Sequence, residues 1–444
     1  MFRKISIIFI LFSLFTYLFA ANVDKLNLNN EDAKTLPGQF IVKFKISDKD
    51  GNQVSFSKLS MVAAKSNAVS NRRVFENVKN SKLKEKLKLQ SVYVFETSKS
   101  ADIQAIVNEL NSDPSIEYAE PVYLSKLESV PSDPLYSSMY HLPQIKAPEA
   151  WDIQTNSSDV IIGVIDSGVD WDHEDLANNI WSNVNEIPDN GIDDDNNGYI
   201  DDIRGWDFVT GVSGSGDTDA NPNEDAETPD NNPMDFGGHG THVAGISGAT
   251  TNNGVGIASA SYGATVMPLR IGWEANDGVG YVSSLFAADA YIYAADNGAD
   301  ITNQSSGNSG QLIVDAAYYA FLNGVLIVES AGNGDAVTPS ALGSQSWVIS
   351  VASVNQADKK AYYSSYGEYV DVSSPGGESY IGNDTYGILS TIVNPSSFYD
   401  GKLYTKMQGT SMAAPLVASA AALIKANEPG LNVVDLYARV IGTA

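Results

Sequence analysis

Residues 160–168 read Val160-Ile161-Ile162-Gly163-Val164-Ile165-Asp166-Ser167-Gly168. A continuous apolar run closed by a carboxylate and two small residues is the pattern of a parallel β-strand covered on both faces, with Asp166 at its carboxyl end. The same theme recurs downstream at Val266–Ile271, Asp300–Asn303, Val325–Val328 and Val348–Val354. Helical spacing of apolar residues fills the intervals, as at Ser283–Asn297 and Gln311–Leu322. Buried strands alternating with helices from Val130 onward predict an α/β domain with a mainly parallel sheet, whose ligands sit at the carboxyl ends of the strands.

Upstream of Val130 the pattern changes. Phe40–Lys45 alternates as a half-buried strand and Val92–Phe95 gives a second. Ile103, Ile106, Val107 and Leu110 fall at helical spacing, with Ser100 as the expected cap. Ile116–Pro121 reads as a final edge strand stopped by its proline, and Lys79–Lys88 as a solvated helix face. Residues 36–127 are therefore expected to form a small α+β unit without a catalytic constellation of its own. Before it, residues 1–21 open with Arg3 and Lys4, continue as an apolar run from Ile5 to Phe19 and end on Ala20-Ala21. That run is shorter than the ~20 residues a bilayer-spanning helix needs, and its flanks suit a cleaved secretory signal. An exported protein, extracellular or periplasmic, is expected, with no membrane attachment once the signal is gone; an uncleaved N-terminal anchor is the alternative reading of the same residues.

Composition narrows the chemistry. The 444 residues contain no cysteine, which excludes disulfide scaffolds, thiolate metal sites and cysteine nucleophiles. Only four histidines are present: His141, His173, His239 and His242. Charge is unevenly spread: residues 1–129 hold 18 basic and 14 acidic side chains, residues 130–444 hold 9 and 40. A surface at −31 repels phosphate backbones, so nucleic acid is a poor partner for the larger part. It attracts cations or a basic partner, and the first 129 residues qualify as one.

Two further short motifs join Asp166. The first is Gly237-Gly238-His239-Gly240-Thr241-His242-Val243-Ala244-Gly245-Ile246, where glycines permit a tight turn into a closely packed helix. Its histidines lie three apart with no intervening glutamate, unlike the i, i+4 pair of a zinc-protease helix. The second is Gly409-Thr410-Ser411-Met412-Ala413-Ala414-Pro415, which runs into an alanine-rich helix. A serine there has free backbone N–H groups and the positive end of a helix dipole beside it. Each motif alone has a bland reading as a helix cap or packing element. Together they supply nucleophile, base and orienting carboxylate.

In that combination and chain order (Asp166, His239, Ser411) residues 130–440 closely resemble the subtilisin-like serine proteases, or subtilases. The unit before them is similar to the inhibitory propeptide of that family. The resemblance implies a three-layer α/β catalytic domain at 130–444, a ferredoxin-like propeptide at 22–129 and a signal peptide at 1–21. It implies that Ser411 is the nucleophile, His239 the general base and Asp166 the group that orients the imidazole. Asn333, in Ser330-Ala331-Gly332-Asn333-Gly334, is implied as the oxyanion donor beside the Ser411 N–H. Ser305, Ser306, Gly307, Ala331 and Gly332 are implied to line the substrate, with extended peptide added by β-augmentation. His242 is left to packing. Two positions depart from the family pattern: Glu329, usually small, and Gln304, usually apolar. We expect these two to be strand neighbours, hydrogen-bonded to each other beneath the substrate pocket, unless Glu329 points away from it. Leu416, where histidine is common, is expected to change little.

Calcium is the expected cofactor, at two places. Asp170–Asp235 carries 19 acidic residues and one basic residue, Arg204. Within it Asp193, Asp195, Asn197 and Asp201 offer oxygen ligands around Gly198 in an EF-hand-like rhythm, but Arg204 stands where the bidentate glutamate belongs. The family resemblance adds Asp175 and Asn253, completed by backbone carbonyls near Val255 and Ile257. The expected whole is a secreted, monomeric serine endopeptidase made as a zymogen, with its own propeptide in cis, acting on proteins or peptides. Cleavage is expected within Lys126–Asp133. A non-catalytic peptide-binding protein on the same fold is the alternative, and an esterase using the same triad a third.

Overall fold

The parallel strands expected from the sequence assemble into one sheet. The structure is a computed structural model that describes residues 34–46, 53–124, 130–307, 309–379, 385–393 and 402–443. The expected signal at 1–21 and residues 126–129 of the expected junction lie outside the described residues. The chain divides into two units, Met1–Leu127 and Glu128–Ala444.

In the first unit, strands β1 (Thr35–Phe44), β2 (Ser70–Arg73), β3 (Val92–Glu96) and β4 (Ile116–Tyr123) form an antiparallel sheet in the order β2-β3-β1-β4. Helices α1 (Phe56–Ser66) and α2 (Ile103–Asn111) complete a β-α-β-β-α-β order, the split βαβ arrangement. Phe40 and Phe95 stack at 5.4 Å in its core. Two local expectations need correction. The α2 cap is Asp102, whose carboxylate accepts from Ala105 N at 3.0 Å, and not Ser100, which is turned to Ser98. Strand β4 continues through Pro121 to Tyr123, with Pro121 opposite Phe40. As an edge strand, β4 tolerates the missing N–H. The lysine-rich stretch does hold a short helix, Ser81–Lys86, with no buried residue.

The second unit is built on β5 (Ile161–Asp166), β6 (Trp206–Asp207), β7 (Thr265–Arg270), β10 (Ile301–Gln304), β11 (Leu326–Ser330), β12 (Val348–Val354) and β13 (Val372–Pro375). Their order is β13-β12-β11-β10-β5-β7-β6 and every pairing is parallel. One core packs Ile162, Val164, Val328 and Val351 under helices α3 (His239–Gly248) and α6 (Thr410–Asn427). The other packs Ile165, Leu269, Ile327 and Val348 against α4 (Ser284–Asp296) and α5 (Gln311–Leu322). Two apolar sheet faces, each needing cover, give the three layers that the family resemblance implies. Small hairpins β8 (Gly272–Glu274) with β9 (Gly280–Val282), and β14 (Ile388–Thr391) with β15 (Tyr404–Met407), lie outside the main sheet. From β5 the chain moves first to β6 and β7 on one side and later to β10 on the other. That reversal opens a crevice at the carboxyl ends of β5 and β10, where open α/β sheets bind ligands. Among the described residues, no helix is long and apolar enough to cross a membrane.

Candidate active site

Asp166 ends β5 at the mouth of this crevice and is only 2% exposed. Its Oδ1 accepts from Ser167 N at 2.8 Å and lies 2.7 Å from His239 Nδ1. His239 is the first residue of α3, brought close because Gly240 lacks a side chain. A Cβ at Gly240 would fall 2.0 Å from Gly168 O and 3.1 Å from the Asp166 Cβ. Burial alone lowers the imidazole pKa, but the Asp166 charge and hydrogen bond, with Asp235 behind them, outweigh it and hold His239 above its ordinary value. About 40% of the His239 side chain stays open to solvent, which softens the burial effect.

Asp235 was not legible as a site residue. It is 1% exposed and no basic side chain pairs with it among the described residues. Oδ1 accepts from Ser167 Oγ, Gly237 N and Gly238 N at 2.9–3.0 Å, and Oδ2 from Thr241 N and Oγ1. It is the anion at the α3 N-terminus, where free N–H groups and the helix dipole favour one. The available signal was a carboxylate four residues before the helix's first histidine.

Ser411 lies in the first turn of α6, so its N–H has no intrahelical acceptor. Pro415 stands four residues later and lacks the N–H that would bond Ser411 O. The freed carbonyl accepts from Ser305 Oγ at 2.9 Å, while Ser411 Oγ donates to Ser305 O at 2.9 Å. This reciprocal pair fixes the end of β10 against the start of α6. Among the hydrogen bonds of the described residues, Ser411 Oγ is not bonded to His239. Asn333, exposed beyond the end of β11, accepts from Thr410 N and Thr410 Oγ1 at 2.9 Å each through Oδ1. Its amide nitrogen is thereby turned away from Thr410 and left to donate. Ser305, Ser306 and Gly307 continue β10, and Ala331 and Gly332 continue β11, so the two segments leave neighbouring strands at their carboxyl ends.

The expectation for Glu329 is corrected. Gln304 and Glu329 are register neighbours and both fully buried, but they do not bond each other. Gln304 accepts from Tyr291 and donates to Ser306 O and Oγ. Glu329 Oε2 accepts from Ser340 Oγ at 2.8 Å, and its Oε1 is buried without a partner. Burial pushes the Glu329 carboxyl up to about 8. His242 is buried with Nε2 between Ile388 O and Thr405 O, and burial pushes it down to about 3. Leu416 is buried in the core.

The acidic stretch contains a cluster that could hold a metal. Glu186, Asp193 and Asp195 each place a carboxylate oxygen within 4.8 Å of the others. Three hard oxygen donors without a cationic side chain suit a hard cation. Asn197 lies beside them, its Nδ2 on Asp195 and Asp202. Asp201 does not join: its carboxylate accepts from Asn190 N and Gly191 N and ties down the preceding turn. Glu186 takes the place expected of Asp201 and was invisible to the loop rhythm because it precedes the motif.

At the second place, Asp175 is fully buried, and burial pushes it up to about 6. Its oxygens accept from Asn253 Nδ2 and Ile257 N at 2.8 Å, and Val255 N donates to Asn253 Oδ1. The loop thus presents donors to Asp175 where a cation needs acceptors, a difference from the expected carbonyl ligands at Val255 and Ile257. Asp133, also buried, accepts from Asn252 N and Asn253 N and sets a second carboxylate near Asp175.

Against known proteins, a family model described as the subtilase family, Peptidase_S8, matches residues 157–444. The thermophilic serine proteinase of Bacillus sp. strain AK1 is 32% identical over 425 residues, which cover 95% of this chain and 86% of that protein. Thermitase of Thermoactinomyces vulgaris is 33% identical over 319 residues, 71% of this chain and 91% of thermitase. Relatives named as extracellular proteases are 30% identical over 74–76% of this chain. Among solved structures, a protease from Pseudoalteromonas arctica PAMC 21717 superposes with a TM-score of 0.58 at 31% identity, covering 71% of this chain and 93% of that one.

Proposed function

The chain belongs to the subtilase family of serine endopeptidases, and from that premise we propose that it is exported as a zymogen and hydrolyses peptide bonds through Asp166, His239 and Ser411. The observation that carries this reading is the His239 Nδ1–Asp166 Oδ1 pair at 2.7 Å at the end of β5, with Ser411 bonded to Ser305 just past the end of the neighbouring strand β10. In the reaction, Ser411 Oγ turns from Ser305 O toward His239 Nε2 and attacks the substrate carbonyl carbon while Nε2 takes its proton. Asp166 keeps Nδ1 protonated and stabilises the imidazolium. Charge developing on the carbonyl oxygen meets the Asn333 amide and the Ser411 N–H. The leaving amine takes the proton from His239, and water repeats the sequence to release the acyl group. Extended substrate is held along Ser305–Gly307 and Ala331–Gly332.

Residues 22–129 act as the propeptide in cis, their positive balance complementing the acidic domain. The signal-like 1–21 and the extracellular relatives support export. Calcium is the metal we assign to Glu186, Asp193 and Asp195, with the Asn197 side chain at hand, and Asp175 with Asp133 and Asn253 is the weaker candidate. Bound there, calcium supplies structural cross-linking and charge neutralisation, and no chemical step runs through it.

The test is the intact mass of the purified wild-type chain beside Ser411→Ala, both incubated with calcium. Release of a fragment on the order of the 22–129 propeptide from wild type alone is the expected result. If both stay full length and a fluorophosphonate reagent fails to label wild type, the peptide-binding alternative takes over. Identical trimming of both would assign the cut to another protease.

A further inference from the structure

Six asparagines in this chain precede glycine: Asn190, Asn197, Asn253, Asn297, Asn323 and Asn333. Asparagine before glycine is chemically labile, because an unhindered glycine nitrogen can attack the side-chain amide carbon. Whether it does depends on what holds that nitrogen and that amide.

At four of the six positions the glycine N–H is already engaged. Gly191 N donates to Asp201 and Gly198 N to Asp193, while Gly298 N and Gly324 N donate to Ala295 O and Phe321 O. At Asn253 the side-chain amide nitrogen donates to Asp175, and Asn253's own backbone N–H donates to Asp133. Those two carboxylates oppose the negative charge that forms during attack. Asn333 differs from all of these. It shares exposure with Asn190, Asn253 and Asn323, and a glycine N–H without a hydrogen-bond partner among the described residues with Asn253 alone, but no carboxylate holds its amide nitrogen. The nearest atom a Gly334 Cβ would meet, the Ala336 Cβ, is 3.8 Å away. Moreover, Asn333 Oδ1 receives two donors, Thr410 N and Thr410 Oγ1. Two donors on a carbonyl oxygen polarise its carbon and stabilise an oxyanion formed on it.

We propose that Asn333-Gly334 is a self-modification site, at which the hydrogen bonds that aim the Asn333 amide also activate it toward deamidation and so retire the enzyme. Gly334 N loses its proton to solvent base and bonds to Asn333 Cγ. The resulting oxyanion on Oδ1 is held by Thr410. The Cγ–Nδ2 bond then breaks, and Nδ2 leaves as ammonia with a proton from water. Water opens the succinimide at either carbonyl, giving aspartate or isoaspartate. The balance is one water consumed and one ammonia released, with no oxidant or reductant. The product carries a carboxylate where the reaction needs a donor, so turnover falls by at least the ~10²-fold that loss of one oxyanion donor causes in a subtilisin. This consequence rests on the proposed role of Asn333, whereas the chemistry itself does not.

The experiment separates the two. Full-length Ser411→Ala, which the proposed mechanism leaves unable to digest itself, is incubated at mildly alkaline pH. Peptide mapping then follows the mass gained on exchanging NH2 for OH at all six sites. Asn333 is expected to convert several-fold faster than Asn297 or Asn323, and Gly334→Ala to slow it severalfold. Conversion of Asn333 no faster than those internal references overturns the proposal. Wild type aged under a reversible inhibitor, then freed of it, is expected to lose turnover in step with Asn333 conversion. Full conversion with undiminished turnover would sink the inactivation, and with it the oxyanion role, while leaving the labile site standing.

Discussion

Two buried carboxyls illustrate opposite ways of keeping a charge-capable group inside this protein. Asp235 is surrounded by five donors, and its electrostatic effect falls on His239. Replacing it by asparagine removes a charge that favours the imidazolium, so the His239 pKa drops. Because His239 must be neutral to accept the Ser411 proton, the acid limb of kcat/KM is expected to move to lower pH in Asp235→Asn. A pH profile with an unmoved limb would reduce Asp235 to a helix anchor. Glu329 has one partnered oxygen and one orphan, and burial raises it to about 8 against an ordinary 4.5. The folded state therefore keeps a proton that the unfolded chain releases. That contribution is fully present below pH about 4.5 and is lost as pH rises through about 8. At ~1.4 kcal/mol for each tenfold change in proton affinity, the loss across this window amounts to a few kcal/mol in order of magnitude. Denaturant melts between these limits should show stability falling with pH in wild type and a flatter dependence in Glu329→Gln. Equal slopes in the two proteins would mean Glu329 is ionised or solvated when folded.

At the level of elements, the acidic stretch Asp170–Asp235 is tied to β7 through Arg270, the one basic side chain that forms ion pairs with it among the described residues. Arg270, the last residue of β7 and the register partner of Asp166, is fully buried. Its Nη1 bonds the Asp207 carboxylate and Asp225 O, its Nη2 bonds Glu224 Oε2 at 3.0 Å, and Phe236 lies 4.8 Å from the guanidinium. Glu224 in turn accepts from Glu274 N. Arg270 thus joins β6, the acidic stretch through Glu224 and, by way of Glu224, the end of β8. Arg270→Ala leaves two carboxylates buried without their cation, and removal of one side of such a buried pair costs about 3–5 kcal/mol. Arg270→Lys should recover little of it, since one ammonium cannot reproduce the planar fork. Thermal midpoints of the three proteins check this, and a rescue by lysine would refute the forked geometry. Elements of this kind show what a sequence reveals and what it withholds. Val348–Val354 and Gln311–Leu322 were legible to the residue because periodicity is a local property. That Gln304 lies beside Glu329 was legible as well. Their partners were not, since Tyr291 and Ser340 come from separate segments packed on the same sheet face. Arg270 was hidden for the same reason: one arginine in an apolar strand has no local pattern to announce its carboxylates.

Over the whole molecule the dominant electrostatic fact is the excess of 40 acidic over 9 basic side chains in residues 130–444. Such a domain folds against its own repulsion, and a cation that binds only the folded form offsets both the local and the global part of it. Glu186, Asp193 and Asp195 converge with no basic side chain paired to them among the described residues, and Glu186 also fastens the loop through Asp194 N, Asp195 N and Asp201 N. These bonds mean the loop does not depend wholly on a metal for its shape, so removal should loosen it rather than unfold the domain. Linkage gives the size of the effect: a cation at a hundred times its dissociation constant stabilises by about 2.7 kcal/mol. Chelation of the Ser411→Ala protein is therefore expected to lower its thermal midpoint by several degrees, with magnesium restoring it poorly because that smaller ion demands a tighter octahedron. Asp193→Asn combined with Asp195→Asn should abolish the calcium response. If the response survives that double substitution, the cation sits elsewhere, and Asp175 with Asp133 becomes the place to mutate. If chelation moves nothing in the parent protein, the acidic stretch is a solvated surface, and its internal Asn and backbone donors alone account for its order.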